Sequence, residues 1–229
     1  MLRRIGRIID ISLKLDNDYG MHTPTGFVKD LQFAMEVLKE HDALGGAGQI
    51  VRGVHMRLHA GTHVDCQEHF VKGGTQVHQV PLETFIGEAV VADLRERVPG
   101  KGITVGDLER TVGARLRRGD RLLLRTDCNK TYGTPDWQQR SPYLTPDAVG
   151  WCVERGAVLV GMDFFHGNDA PNTPSKYHTS RTLCENGVIV MAYLNNLDRI
   201  TQDRVTLIAL PLAIVGAESA PVRAVVLED

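Results

Sequence analysis

The chain has no long apolar run. Nothing approaches the roughly 18 uninterrupted apolar residues that a bilayer-spanning helix needs, so no membrane partner is expected. Arg3, Arg4 and Arg7 near the start have no long apolar segment behind them, and the stretch does not read as a signal peptide. Cysteine is scarce as well: Cys66, Cys128, Cys152 and Cys184 are widely scattered, with no Cys-x-x-Cys pair. That spacing excludes a disulfide framework and a thiolate zinc site, and points to reduced thiols in a cytoplasmic protein. Charge of one sign is missing too. With 26 Lys plus Arg against 28 Asp plus Glu, the basic surface of a nucleic-acid binder is absent. Arg117-Arg118 reads as solvated surface. Repeats, low-complexity tracts and linkers are likewise absent.

What remains is an ordinary globular composition, 42% hydrophobic with 23 glycines and 10 prolines in 229 residues, enough for a sizeable core. Ile8–Leu13 reads as a first strand. It runs into a polar loop over 17–25 whose Tyr19, Met21 and His22 make a candidate substrate wall. Asp30–Glu40 sets Leu31, Phe33, Ala34, Val37 and Leu38 at helical intervals, so a helix is expected there. Val51–Leu58, Gly87–Leu94, Arg121–Thr126, Ala157–Asp163, Gly187–Ala192, Val205–Leu212 and Val222–Leu227 read as strands. The stretch from Asp127 to Ser141 is expected to be irregular, and Phe164–Tyr177 a polar connection. Thr104 is the expected N-cap of a helix through Leu116, with Asp107 in the capping-box position. Thr145 and Pro146 open another helix that Gly156 stops. The expectation is one α/β domain over 1–229.

The unusual stretch is His59-Ala60-Gly61-Thr62-His63-Val64-Asp65-Cys66-Gln67-Glu68-His69-Phe70, where three of the nine histidines and an aspartate fall within eleven positions. Imidazole and carboxylate donors suit Zn²⁺ or Mn²⁺. In a straight strand His59 and His63 would stand roughly 13 Å apart, too far to share an ion. Gly61, Thr62 and Val64 make poor helix. What remains is a bend at Ala60-Gly61-Thr62, where glycine lets the backbone fold back. His63 and Asp65, two apart, then point the same way on extended backbone. Two histidines and one carboxylate leave positions open for water, as catalytic sites do. A metal-activated water with a spare histidine as general base is the expected chemistry, and His69 beyond the turn can take that proton. Cys66 lies inside the stretch without partners in triad order and reads as a packing thiol.

These residues resemble the signature of the cyclase family of metal-dependent hydrolases, which includes bacterial kynurenine formamidases and isatin hydrolases. The family pattern is His-x-Gly-Thr-His-x-Asp-x-Pro-x-His-Phe. His59, Gly61, Thr62, His63, Asp65, His69 and Phe70 match it, and Gln67 stands in place of the proline. Asp10-Ile11-Ser12, Pro81-Leu82, Phe85-Ile86-Gly87, Gly161-Met162-Asp163 and Ala220-Pro221-Val222-Arg223 resemble further family segments. The resemblance implies an α/β fold of the swivelling β/β/α type, a mixed curled β-sheet flanked by helices. It also implies a homo-oligomer, dimer or tetramer. Metal ligands are implied at His59, His63 and Asp65, and an acid/base at His69. The implied reaction is hydrolysis of an amide, lactam or ester carbonyl in a small cyclic or aromatic metabolite. A metal-dependent cyclase or dehydratase is the alternative on the same parts, and a non-catalytic metal-binding homologue the third reading.

A second ion, where the family carries one, shares the aspartate and uses a later histidine and glutamate. His178 matches that histidine, but Ala192 stands at the glutamate position. One divalent ion per subunit, Zn²⁺ or Mn²⁺, is therefore expected. His178 is left as part of a weak second site, a substrate contact or an ordinary loop histidine. The family's kynurenine formamidases carry an aromatic residue in the N-terminal loop, whereas residues 19–24 here hold no tryptophan. Phe164, Phe165 and His166 stand where small polar residues are usual. Tyr19, Met21, His22, Phe165 and His166 are thus the candidate substrate-binding residues of an altered pocket.

Overall fold

Short apolar runs rich in valine, leucine and isoleucine become strands in the computed structural model, which describes residues 6–16, 33–39, 48–96, 99–171, 173 and 176–229. The strands are β1 (Arg7–Asp10), β2 (Phe33–Lys39), β3 (Val51–Met56), β4 (His63–Asp65), β5 (Ile86–Asp93), β6 (Gly102–Ile103) and β7 (Arg121–Arg125). They continue with β8 (Tyr143–Leu144), β9 (Leu159–Met162), β10 (Ile189–Ala192), β11 (Arg204–Ile208), β12 (Ser219–Pro221) and β13 (Val225–Glu228). Among the described residues nine of them form one sheet in the order β1-β13-β11-β5-β7-β9-β10-β4-β12, while β2 pairs with β3 and β6 with β8. Pairing is parallel through β5, β7, β9 and β10. It is antiparallel on both flanks.

The central strands bury both faces. Along β5, Ala89 and Val91 join one core with Leu123 and Met191, while Val90 and Ala92 join another with Leu122, Leu124 and Val190. A sheet covered on both sides needs apolar side chains at successive positions, which is why these strands read as continuous runs. Among the described residues the α-helices are α1 (Val105–Leu108), α2 (Trp137–Arg140), α3 (Pro146–Glu154) and α4 (His178–Glu185). α1, α3 and α4 cover the second core through Leu108, Ala148, Val149, Cys152, Leu183 and Cys184. The first core is closed by the sheet's own flanking strands, through Ile9, Leu207, Ala220 and Val226. The architecture is the expected mixed, curled sheet flanked by helices.

Two caps are where the sequence places them. Thr104 N–H donates to Asp107 Oδ2 at 2.9 Å while Asp107 N–H donates back to Thr104 Oγ1 at 3.3 Å. Thr145 Oγ1 accepts from Ala148 N–H, with Pro146 opening α3. The first helix is shorter than expected, giving way after Leu108 to a π-turn over Glu109–Gly113 instead of running as α-helix to Leu116. The expected helix over 30–40 is a correction: its described part is strand β2, paired antiparallel with β3. Its apolar stripe meets no core, since Met35, Val37 and Leu38 are exposed. Backbone pairing with β3 therefore decides the element over local periodicity. Helix α4 and strand β12 were not expected. α4 forms in a polar stretch because Leu183 and Cys184 pack on the second core. The stretch 127–141, expected to be irregular, contains α2 and a 3₁₀ turn over Cys128–Thr131.

Gly161 sits opposite Leu123 and Met191 on β9. A Cβ there would stand 2.9 Å from Leu123 Cδ2 and 2.9 Å from Leu194 Cδ1. Gly161→Ala is expected to overpack this layer and cost about 1–3 kcal/mol, read as a shifted midpoint in urea denaturation. An unchanged midpoint would contradict the tight layer.

Candidate functional site

The turn between β3 and β4 builds the site. Gly61 takes φ +62°, in the left-handed region, and a Cβ there would lie 2.8 Å from Leu15 Cδ2. Glycine is required both for the bend and for the close approach. Thr62 Oγ1 pins the turn, accepting from Leu13 N–H at 2.8 Å and donating to the Tyr193 carbonyl at 2.7 Å. The chain then enters β4 with Val64 in the core and His63 and Asp65 on the opposite side, as alternation requires. His63 lies opposite Ala192 of β10 and Pro221 of β12. The cluster thus sits at the carboxyl end of β10, where open α/β sheets place ligands.

Hydrogen bonds set the tautomers. A carbonyl only accepts, so His63 Nδ1–H donates to the Gly61 carbonyl at 2.8 Å, leaving the lone pair on Nε2. A carboxylate also only accepts, so His59 Nε2–H donates to Glu218 Oε1 at 3.2 Å, and Nδ1 is the ring nitrogen turned towards Asp65. That Nδ1 is 2.9 Å from Asp65 Oδ1, and His63 Nε2 is 3.4 Å from the same oxygen. The close approaches lack hydrogen-bond direction: His63 Nε2 and both Asp65 oxygens are buried with no hydrogen-bond partner. Their ligand atoms and that of His59 lie within 4.8 Å of one another. Buried lone pairs left unclaimed around a carboxylate cost several kcal/mol unless a cation satisfies them. The donor set fits a borderline divalent ion.

Burial disfavours charge on every histidine here. It lowers His63 and His69 below the ordinary imidazole value and takes His166 down to about 3. For Asp65 burial alone would raise the pKa, but His63, His59 and His166 hold the carboxyl well below the usual range. At His59 burial is outweighed by Asp65 and Glu218, which raise its pKa. An ionised carboxylate among largely neutral imidazoles is the protonation state that a cation requires.

His69 ends a 3₁₀ turn over Gln67–His69, its ring 4.6 Å from that of His59 and edge-on to Phe70 at 4.3 Å. Gln67 does a different job from the family's proline. Its Oε1 accepts from Thr75 N–H at 3.2 Å and Thr75 Oγ1 at 3.4 Å, closing the loop that carries His69.

Of the candidate substrate residues, Phe165 and His166 follow β9 into the site. His166 is largely buried, with Nε2 3.9 Å from Asp65 Oδ2 and its ring 5.7 Å from His63. Phe165 packs edge-on to Trp137 at 5.7 Å, and Trp137 lies 5.9 Å from Tyr193. Together these rings form an aromatic wall beside the ligand cluster. Tyr19, Met21 and His22 lie outside the described residues. His178 opens α4 and, among the described residues, joins neither group able to hold an ion. Three site residues were missed from the sequence: Glu218, Trp137 and Tyr193. Glu218 stands just before the recognisable Ala220-Pro221-Val222-Arg223 segment, and that adjacency was the available signal.

Glu218 holds the His59 ring in place through its Nε2–H. Glu218→Gln is expected to weaken divalent-ion binding about 10- to 100-fold, measured by chelator competition. Unchanged affinity would remove Glu218 from this role.

A family model described as "Putative cyclase" matches residues 9–168. The chain is 30% identical over 221 residues to a kynurenine formamidase of Bacillus mycoides (strain KBAB4), covering 95% of this chain and 96% of that protein. It is 31% identical over 175 residues to a kynurenine formamidase of Salinibacter ruber (strain DSM 13855 / M31), covering 75% and 77%. Among solved structures, isatin hydrolase A from Labrenzia aggregata bound to benzyl benzoate superposes with a TM-score of 0.83 at 26% identity, covering 96% of this chain and 93% of that one. Isatin hydrolase A from Ralstonia solanacearum gives a TM-score of 0.84 at 25% identity, covering 97% and 92%.

Proposed function

From the premise that this chain belongs to the cyclase family, we propose that it is a metal-dependent hydrolase opening an amide, lactam or ester carbonyl of a small cyclic or aromatic metabolite. The observation that carries this reading is the set of buried, unclaimed ligand atoms on His63 and Asp65 beside His59, with a partly exposed imidazole next to it. Our assignment gives one divalent ion, Zn²⁺ or Mn²⁺, to His59, His63 and Asp65. Ala192 on β10 offers no ligand for a second. When bound, such an ion supplies Lewis acidity, polarising a carbonyl oxygen and acidifying water.

The chain's own residues would do the rest. His69, held neutral by burial, takes a proton from the attacking water and returns it to the leaving nitrogen or oxygen. Phe165 and Tyr193, backed by the buried Trp137, offer flat apolar surface to a ring, and His166 lies beside that wall and Asp65. The names of the relatives, kynurenine formamidase and isatin hydrolase, support an amide or lactam on an aromatic compound. The absence of tryptophan in residues 19–24 favours a substrate different from that of the formamidases. A homo-oligomer belongs to the same proposal, supported by the apolar side chains Val37, Leu38 and Val54 exposed on the β2–β3 hairpin.

The test is metal analysis of the purified protein joined to a panel of N-formyl aryl amines, isatin-like lactams and lactones in ¹⁸O-water. Turnover with ¹⁸O in the product and dependence on the ion support hydrolysis. Turnover without any ¹⁸O would instead select cyclisation or dehydration, and a protein that binds no divalent ion would end the proposal.

A further inference from the structure

His59 belongs to two groups of ligand atoms. One is the buried set with His63 and Asp65. The other, with His69 and Glu218, opens towards solvent, and its three ligand atoms also lie within 4.8 Å of one another. If Nδ1 of His59 serves the first set, its Nε2 carries the proton donated to Glu218 Oε1 and is not a ligand. Glu218 keeps acceptor capacity beyond that bond, because a carboxylate offers about four lone-pair sites. Among the described residues the His69 ring makes no hydrogen bond or ion pair, only ring contacts with His59 and Phe70. An unclaimed imidazole nitrogen and a carboxylate oxygen therefore face each other at the rim.

We propose that His69 and Glu218 form a second, weaker cation subsite that takes Zn²⁺ and, when filled, withdraws His69 from proton transfer. The proposal rests on the reading of His59, His63 and Asp65 as the resident site and of His69 as the base. Zn–N and Zn–O bonds of about 2.0–2.2 Å let two ligands of one ion stand at most about 4.4 Å apart. Rotation of two partly exposed side chains reaches that separation. Two protein ligands hold an ion more weakly than three buried ones, so the subsite fills only in excess Zn²⁺. Mg²⁺ prefers oxygen donors and keeps its waters, and does not compete for the imidazole. Excess Zn²⁺ then inhibits reversibly and excess Mg²⁺ does not.

The test titrates Zn²⁺ into protein already carrying its resident ion, with a chromophoric chelator as competitor and ¹⁵N-histidine spectra recorded at each step. The expected result is a second, weaker binding step that moves the His69 ring resonance and disappears in His69→Ala while the tight ion stays. A weak step that survives in His69→Ala, or a wild-type protein with no second step, overturns the subsite and leaves the resident-site reading standing. A wild-type protein that holds no resident ion, or a His69→Ala protein that loses the tight ion, overturns both.

Discussion

Asp65→Asn protein is expected to come through dialysis without its divalent ion and to turn over at least about 10³-fold more slowly, a loss of about 4 kcal/mol in transition-state stabilisation. Asparagine matches the shape of aspartate, so the loss isolates charge from packing. Asp65 is fully buried on β4 and is the one carboxylate of the buried ligand set. Its Oδ1 faces both His59 Nδ1 and His63 Nε2. With a neutral amide there, two imidazoles alone must hold a dication. Plasma emission spectrometry gives the metal content, and a circular dichroism melt checks that the fold survives. A variant that keeps a full equivalent of metal and the wild-type rate would sink the assignment of Asp65.

His69→Ala separates chemistry from metal binding. The variant keeps its ion, because His69 lies outside the buried set, yet kcat is expected to fall about 10²- to 10⁴-fold, the range for losing a positioned general base. The pH profile carries a second signature. A base must be neutral to act, so kcat/KM rises with pH through its pKa. Burial lowers that pKa from the ordinary histidine value, and a cation bound alongside pushes it in the same direction. The acid limb therefore lies below about pH 6.5 in the wild type and is missing in the variant. An acid limb that persists unchanged in His69→Ala would assign it to another group.

Much of the site was legible because it is local. His59, Gly61, His63 and Asp65 lie within seven consecutive positions, and chain geometry alone requires a bend at Gly61 and a shared face for His63 and Asp65. The structure has both, with Gly61 at φ +62°. The caps at Thr104 and Thr145 were legible for the same reason, since a capping bond spans three residues. Buried strands such as Gly87–Leu94 were legible because a sheet covered on both faces leaves an apolar run in the sequence.

The parts that could not be read depend on distant pairing. Glu218 reaches His59 across 159 positions, because β12 pairs with β4 and sets Ser219 opposite Asp65. No local pattern carries that register. Trp137 and Tyr193 meet at the aromatic wall only because the sheet brings the end of β10 beside α2. The stretch around Val37 looks helical in isolation, and strand β3 with its open backbone groups makes it a strand. By itself the sequence determined the candidate ligand types, their bend and the hydrolase chemistry they suit, since bond geometry and donor character act over a few residues. Only the tertiary structure decided that His63 turns Nε2 towards Asp65, which carboxylate stands behind His59 and which rings lie beside the cluster. Those depend on strand register and burial, and register is set by contacts that the local sequence does not encode.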